Sequence, residues 1–288
     1  MTKDRNGCIV ADATGQDKML ALLYGSLWCR MLLKLLTWPP VSKAAGLFLS
    51  SRLSTALINP FIRKNHIRME EFEEVAYHSY NEFFSRKIRP ECRPIDPKKD
   101  HLIAPCDSKL TVLPISEECR FTLKHTVYTV ESLLRNAELA KTYEGGWALI
   151  FRLTVDDYHR YCYVADGVKT ENTRIPGVLH TVNPIANDHY PIYKENSREY
   201  SILHSDVFGE ILMMEVGALL VGKIVNHHEK AQVARGQEKG YFQFGGSTVV
   251  LLLKKNVVVM DEDLLTHSQN HIETVVKMGE AIGHAAKI

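Results

Sequence analysis

YFQFGGSTVV, residues 241–250, places two glycines and a serine between two runs of aromatic and β-branched residues, and LLLKK follows. Glycine tolerates positive φ, so Gly245 and Gly246 read first as a hairpin turn or bulge joining two strands. A second reading is chemical. A Gly-Ser peptide bond held in an unusual conformation can be attacked by its own serine hydroxyl, because glycine has no side chain to block the approach. In both readings the stretch is β structure, and the choice between them rests on the rest of the chain.

Moving outward, the same pattern recurs. HLIAP (101–105), KLTVLPI (109–115), WALIFRLTV (147–155), YCYVADG (161–167), GVLHTV (177–182) and EILMMEVGALLVGKIV (210–225) are short β-type runs set off by turn residues. A helix is expected around VESLLRNAELA, residues 130–140, and another over residues 70–90, closing before Arg89-Pro90. RPECRPIDPKKD (89–100) reads as a proline-rich connector. The expectation is an α+β chain: an N-terminal region, 1–90, with amphipathic helices, and a β-rich domain, 91–288, of mainly antiparallel strands.

Bulk properties narrow the function. The 288 residues are 45% hydrophobic, ample for a core, and a net charge of +1 gives no reason to expect nucleic acid. The six cysteines show no zinc-like spacing, which favours a reducing compartment, and no signal-peptide layout is seen. Charge is unevenly spread. Between Lys18 and Met69 lie eight basic residues and no Asp or Glu. Met19–Trp38 is 20 residues long with only Arg30 and Lys34 charged. Two cations in its second half are costly at mid-bilayer, so it reads as a helix lying in the membrane interface, ended by Pro39 and Pro40. Basic residues without acids beside apolar helices suit an anionic membrane surface; helices packed on the core are the other reading.

Taken singly, the polar candidates are unspecific. His159 in DYHRY closes a strand-like run, and Asp107 in APCDSKL follows a short apolar one. His227 and His228 are adjacent and point to opposite faces of a strand, which is unsuited to a shared metal ion. Arg198 and Lys223 offer positive charge either to a phosphate headgroup or to surface ion pairs.

Taken in order, seven blocks resemble the phosphatidylserine decarboxylases of the shorter bacterial type: YNEFFSRKIRPECRPID (80–96), APCDSKL (104–110), DYHRY (157–161), HTVNPIA (180–186), NSREYSIL (196–203), VGALLVG (216–222) and EKGYFQFGGST (238–248). The resemblance implies a self-processing proenzyme cut between Gly246 and Ser247 into a large chain, 1–246, and a small chain, 247–288. It implies that Ser247 becomes a pyruvoyl group, the only cofactor needed, with neither pyridoxal phosphate nor metal. Through a Schiff base to that ketone, phosphatidylserine would lose carbon dioxide and become phosphatidylethanolamine. Asp107 and a histidine would form a charge relay with Ser247. Many members carry two histidines three apart, whereas here DYHRYC has Cys162 in the second place. His159 is therefore the favoured base for both roles, with His180 as the residue that could take one of them; a thiol beside a carboxylate is a weaker base. The implied partners are phosphatidylserine, an anionic membrane surface and the chain's own second half, as a heterodimer or a dimer of these. The implied location is the cytoplasmic face of the cell membrane, peripherally bound. The alternatives are a pyruvoyl decarboxylase of a soluble amino acid such as tryptophan, or an uncut membrane-binding protein without activity.

Overall fold

The computed structural model describes residues 1–11, 45–123, 126–177, 192–217, 223–243 and 247–286. The expected interfacial helix Met19–Trp38, the strand carrying His180, and Gly245 and Gly246 lie outside the described residues.

Among the described residues an eleven-stranded sheet forms the frame. From one edge it runs through Ala231–Val233 (β14), Gly167–Lys169 (β9), Arg198–Ser205 (β11), Gly209–Val216 (β12), Ser247–Leu253 (β16), Trp147–Leu153 (β7), Ser108–Pro114 (β4), Glu273–Val276 (β18), Thr2–Lys3 (β1) and Ile9–Ala11 (β2). Thr173–Ile175 (β10) also pairs with β11. Every pairing is antiparallel except β1 with β18, as the short, turn-punctuated runs led one to expect.

Two three-stranded sheets lie against one face. Ile224–Asn226 (β13), Glu238–Phe242 (β15) and Arg160–Cys162 (β8) form one; Val258–Met260 (β17), Ala281–Ala285 (β19) and His101–Ile103 (β3) form the other. Their inward residues, among them Tyr161, Phe242, Met260 and Ile282, meet Phe151, Met213, Val249 and Leu251 of the large sheet in one apolar core. The opposite face is covered by the hairpin Arg120–Leu123 (β5) and Thr126–Thr129 (β6), and by short helices Val130–Leu134 (α3), Ala137–Lys141 (α4) and Ile192–Glu195 (α5). Helix α6, Glu262–Gln269, buries Leu264 in the first core. Because both faces are covered, β16 reads STVVLLL and is buried at all seven positions; alternation is lost where a strand has no wet side.

Four features depart from the sequence reading. First, β15 and β16 belong to different sheets, so Tyr241–Val250 is no hairpin: the chain passes from a three-stranded layer into the centre of the large sheet. Second, residues 70–90 are not one helix. Phe72 bridges to Ile88, Glu73 N–H donates to Lys87 O (2.9 Å), and helix α2 is confined to Tyr80–Phe84, begun by Ser79 accepting from Glu82 N–H. Doubling back lets Phe72 and Ile88 pack together with Tyr158, which a straight helix would forbid. Third, Arg135 in the left-handed region splits the 130–140 helix into α3 and α4. Fourth, Arg198 is neither on the surface nor in an ion pair. It is fully buried and donates to the carbonyls of Ser132, Leu133, Lys194 and Asn196 at the ends of α3 and α5.

Between residues 45 and 64 the chain is helical but short-ranged: a turn at 45–49, a 3₁₀ helix Arg52–Leu57, and α1, Ile58–Lys64. Its inner side packs Leu49, Ile58, Phe61 and Ile62 on Tyr80, Phe83 and Phe84. Its outer side leaves Leu47, Phe48, Leu53 and Leu57 exposed.

Candidate active site

Strand register brings the sequence candidates to one end of the large sheet. Leu153, last residue of β7, pairs with Ser247, first residue of β16. On the other side of β7, Lys109 pairs with Arg152, so Asp107, just before β4, sits at the same end. The loop leaving β7 supplies His159. Asp157 pins this loop: its carboxylate accepts from Thr154 N–H (2.7 Å), Thr154 Oγ1 (2.8 Å) and Lys109 Nζ (2.7 Å).

His159 is held on three sides. Its carbonyl accepts from Phe242 N–H (2.9 Å), its ring centroid lies 4.0 Å from that of Phe84, and its Nδ1 donates to Asp157 O (2.9 Å). That last bond assigns the proton to Nδ1 and leaves Nε2 as a lone-pair acceptor. Nε2 is buried and has no partner. Burial, which penalises the charged ring, outweighs the Asp157 carbonyl and brings the imidazole down to about 3. At neutral pH this is an unprotonated base with its tautomer already set.

Ser247 is fully buried, and its Oγ likewise has no partner. A buried hydroxyl left unsatisfied costs about 1–3 kcal/mol. Glu215 on β12 pairs with Val249, so Glu215 and Ser247 share one face of the sheet. Glu215 is ion-paired to Lys239 (2.7 Å), both fully buried, with Asn226 bonded to each. Burial raises the Glu215 carboxyl although Lys239 opposes it, and Oε1 has no partner. The sequence reading missed this pair. The signal was a single acid inside the apolar run ILMMEVG, residues 211–217.

Asp107 is also buried, and its hydrogen bonds go elsewhere than to His159. Arg93 approaches it with Nε at 2.8 Å and Nη2 at 2.6 Å, Met278 N–H donates at 2.9 Å, and Lys277 Nζ lies 3.3 Å away. Burial works against the charge, yet Arg93 and Lys277 prevail and hold the carboxyl below its usual range. A polar cavity of about 200 Å³ joins Asp107, Arg93 and Lys277 to the Asp156–Tyr158 loop. Cys162 is buried and pushed up to about 12, so it is a neutral thiol. His227 bonds Glu238 (2.6 Å) and His228 faces Tyr163 (3.3 Å). His180 lies outside the described residues.

A buried, unpartnered serine and a neutral, tautomer-fixed histidine at one end of a sheet covered on both faces make a candidate acid–base site. Residues 80–284 match the phosphatidylserine decarboxylase family model. The chain is 48% identical over 269 residues to phosphatidylserine decarboxylase proenzyme 2 of Clostridium acetobutylicum, covering 93% of this chain and 92% of that one. It is 40% identical over 247 residues to the phosphatidylserine decarboxylase proenzyme of Clostridium botulinum (84% of each chain). It is 38% identical over 273 residues to that of Desulfitobacterium hafniense (93% and 92%). The chain belongs to the phosphatidylserine decarboxylase family, a family of carboxy-lyases.

Proposed function

We propose that this chain decarboxylates phosphatidylserine to phosphatidylethanolamine with a pyruvoyl group that it makes from Ser247 by cutting itself after Gly246. The observation that carries the reading is the buried, unpartnered Ser247 Oγ at the head of a central strand, at the same sheet end as the unpartnered Nε2 of His159.

In the cut, His159 Nε2 takes the Ser247 hydroxyl proton and the oxygen adds to the Gly246 carbonyl; the C–N bond breaks and an ester replaces the amide. Loss of the Ser247 α-proton then expels the Gly246 carboxylate, and the dehydroalanine left behind takes up water and releases ammonia, leaving the ketone. Asp157 O holds the Nδ1 proton throughout, the part the resemblance assigned to Asp107. Asp107 enters as the carboxylate that fixes Arg93 and the Met278 N–H at this end, where its hydrogen bonds go. The Ser247 position fits such a group: it is fully enclosed, which shields a ketone from water. A pyruvoyl group held at the Ser247 position would supply a carbonyl for the substrate amine and an electron sink for the loss of carbon dioxide. His159 Nε2, after taking a proton from the substrate ammonium, or His180 as the second candidate, would return a proton to the α-carbon. The two chains remain together as a heterodimer, and the N-terminal region, whose strands β1 and β2 belong to the large sheet, holds the protein on the cytoplasmic membrane face.

Intact-mass measurement tests this directly. Wild-type protein should appear as chains 1–246 and 247–288, and Ser247→Ala as one uncut chain; a cut elsewhere overturns the mechanism. Carbon dioxide release from phosphatidylserine vesicles but not from free tryptophan separates the lipid substrate from a soluble amino acid.

A further inference from the structure

Arg86 is 2% exposed and has no carboxylate partner. Its guanidinium lies 4.2 Å from the Phe72 ring centroid and 4.7 Å from that of Phe83, so two aromatic rings pack against it and neither offers a hydrogen-bond acceptor of full strength. Nη1 donates to Phe83 O (3.3 Å). Nε and Nη2 are buried without any partner. These two nitrogens are the adjacent pair that grips two oxygens of one oxyanion side-on. The Tyr77 hydroxyl, whose ring is 5.4 Å from that of Phe83, is a third buried donor with no partner. Burial of the unpaired cation brings Arg86 down to about 10. A buried charge with an empty fork is strongly unfavourable unless something of opposite sign arrives.

The location says what arrives. Phe84 packs at a tilt against His159, and Arg160 Nε donates to Ser85 O (2.8 Å), so Arg86 is one residue beyond a direct contact with the catalytic loop. On its other side Phe83 packs on the 49–62 segment, whose outer face exposes Leu47, Phe48, Leu53 and Leu57. The order apolar surface, Arg86, His159 matches the order acyl chains, phosphate, serine in a phospholipid.

We propose, on the basis of the function above, that Arg86 with Tyr77 is the subsite for the substrate's phosphodiester. The substrate's other anion, its carboxylate, is the poorer fit. It loses its charge as carbon dioxide leaves, so a buried cation holding it would stabilise the ground state above the transition state; the phosphodiester keeps its charge throughout.

The test uses the self-cut enzyme, phosphatidylserine in detergent micelles, and inorganic phosphate and acetate as probes. Arg86→Met should still be cut into two chains, with KM for phosphatidylserine raised roughly ten- to hundred-fold and kcat changed far less. Phosphate should compete with substrate and raise the melting temperature of wild-type protein but not of Arg86→Met, while acetate does neither. An unchanged KM, or phosphate stabilisation that survives in Arg86→Met, overturns the subsite; Arg86-dependent competition by acetate reassigns it to the carboxylate. If Arg86→Met does not fold, Arg86→Lys decides: it keeps the charge and loses the fork, and wild-type KM and phosphate response in that variant overturn the proposal. Wild-type turnover tests the decarboxylase reading separately, since the melting shift is read without turnover.

Discussion

At the residue scale, the site depends on groups kept in unusual charge states by burial. His159 is neutral when folded down to about pH 3, whereas an unfolded histidine titrates near 6.5. Its folded value is the lower one, so between these limits the unfolded chain binds more protons and stability falls as pH drops. Asp107 is also depressed, and its contribution is lost only in the lower window, below the ordinary carboxylate range. In uncut Ser247→Ala protein, denaturant stability should therefore decline from pH 7 to pH 5, and adding His159→Gln should flatten that decline; equal slopes would show that His159 is not neutral in the fold. The site was half legible at this scale. Ser247, His159 and Asp107 stand in the sequence as motif residues; register puts Ser247 and Asp107 at one sheet end, and the loop leaving β7 there carries His159. Arg93, Arg86, Glu215 and Lys239 were not read as partners, because their significance is a matter of who faces whom across 14 to 24 residues or more.

At the element scale, β16 explains how a chain can be cut without falling apart. It pairs with β7 from Ser247 to Leu253 and with β12 from Thr248 to Leu253, and every one of its residues is buried. The proposed cut falls at its first residue; it removes the Ser247 N–H and leaves the pairs from Thr248 to Leu253 in place. β18 of the small chain likewise pairs with β4 of the large one, and β19 with β3. The two chains should therefore co-elute in native chromatography at neutral pH and separate only in denaturant; native dissociation would contradict this role for β16. The strand itself was clear from composition. Its position in the middle of the large sheet, away from β15, was not, since local pattern cannot tell a hairpin turn from a crossing between layers.

At the scale of the whole molecule, Leu47, Phe48, Leu53 and Leu57 lie outward on a stretch that also carries Arg52, Arg63, Lys64 and Arg68, and no acid occurs between 45 and 69. Among the described residues no helix is long and apolar enough to cross a membrane. Leu47→Glu with Leu53→Glu should reduce sedimentation with anionic vesicles by about ten-fold while leaving self-cutting intact; unchanged vesicle binding would place the contact elsewhere. The first residues are also part of the whole. β1 joins the large sheet, and Arg5 binds Asp261 and Asp263 at the start of α6, a union of ends that no local signal announces.

By itself the sequence determined the strand-rich α+β class, the Gly-Ser bond and the residue types the chemistry requires, because these follow from side-chain periodicity and ordered motifs. Only the tertiary structure decided that Tyr241–Val250 links two sheets, that the Asp157 carbonyl rather than Asp107 holds the His159 proton, and that Arg86 is a buried cation with an open fork. Those depend on burial and on long-range pairing, which set protonation and hydrogen-bond partners and have no local trace in the chain.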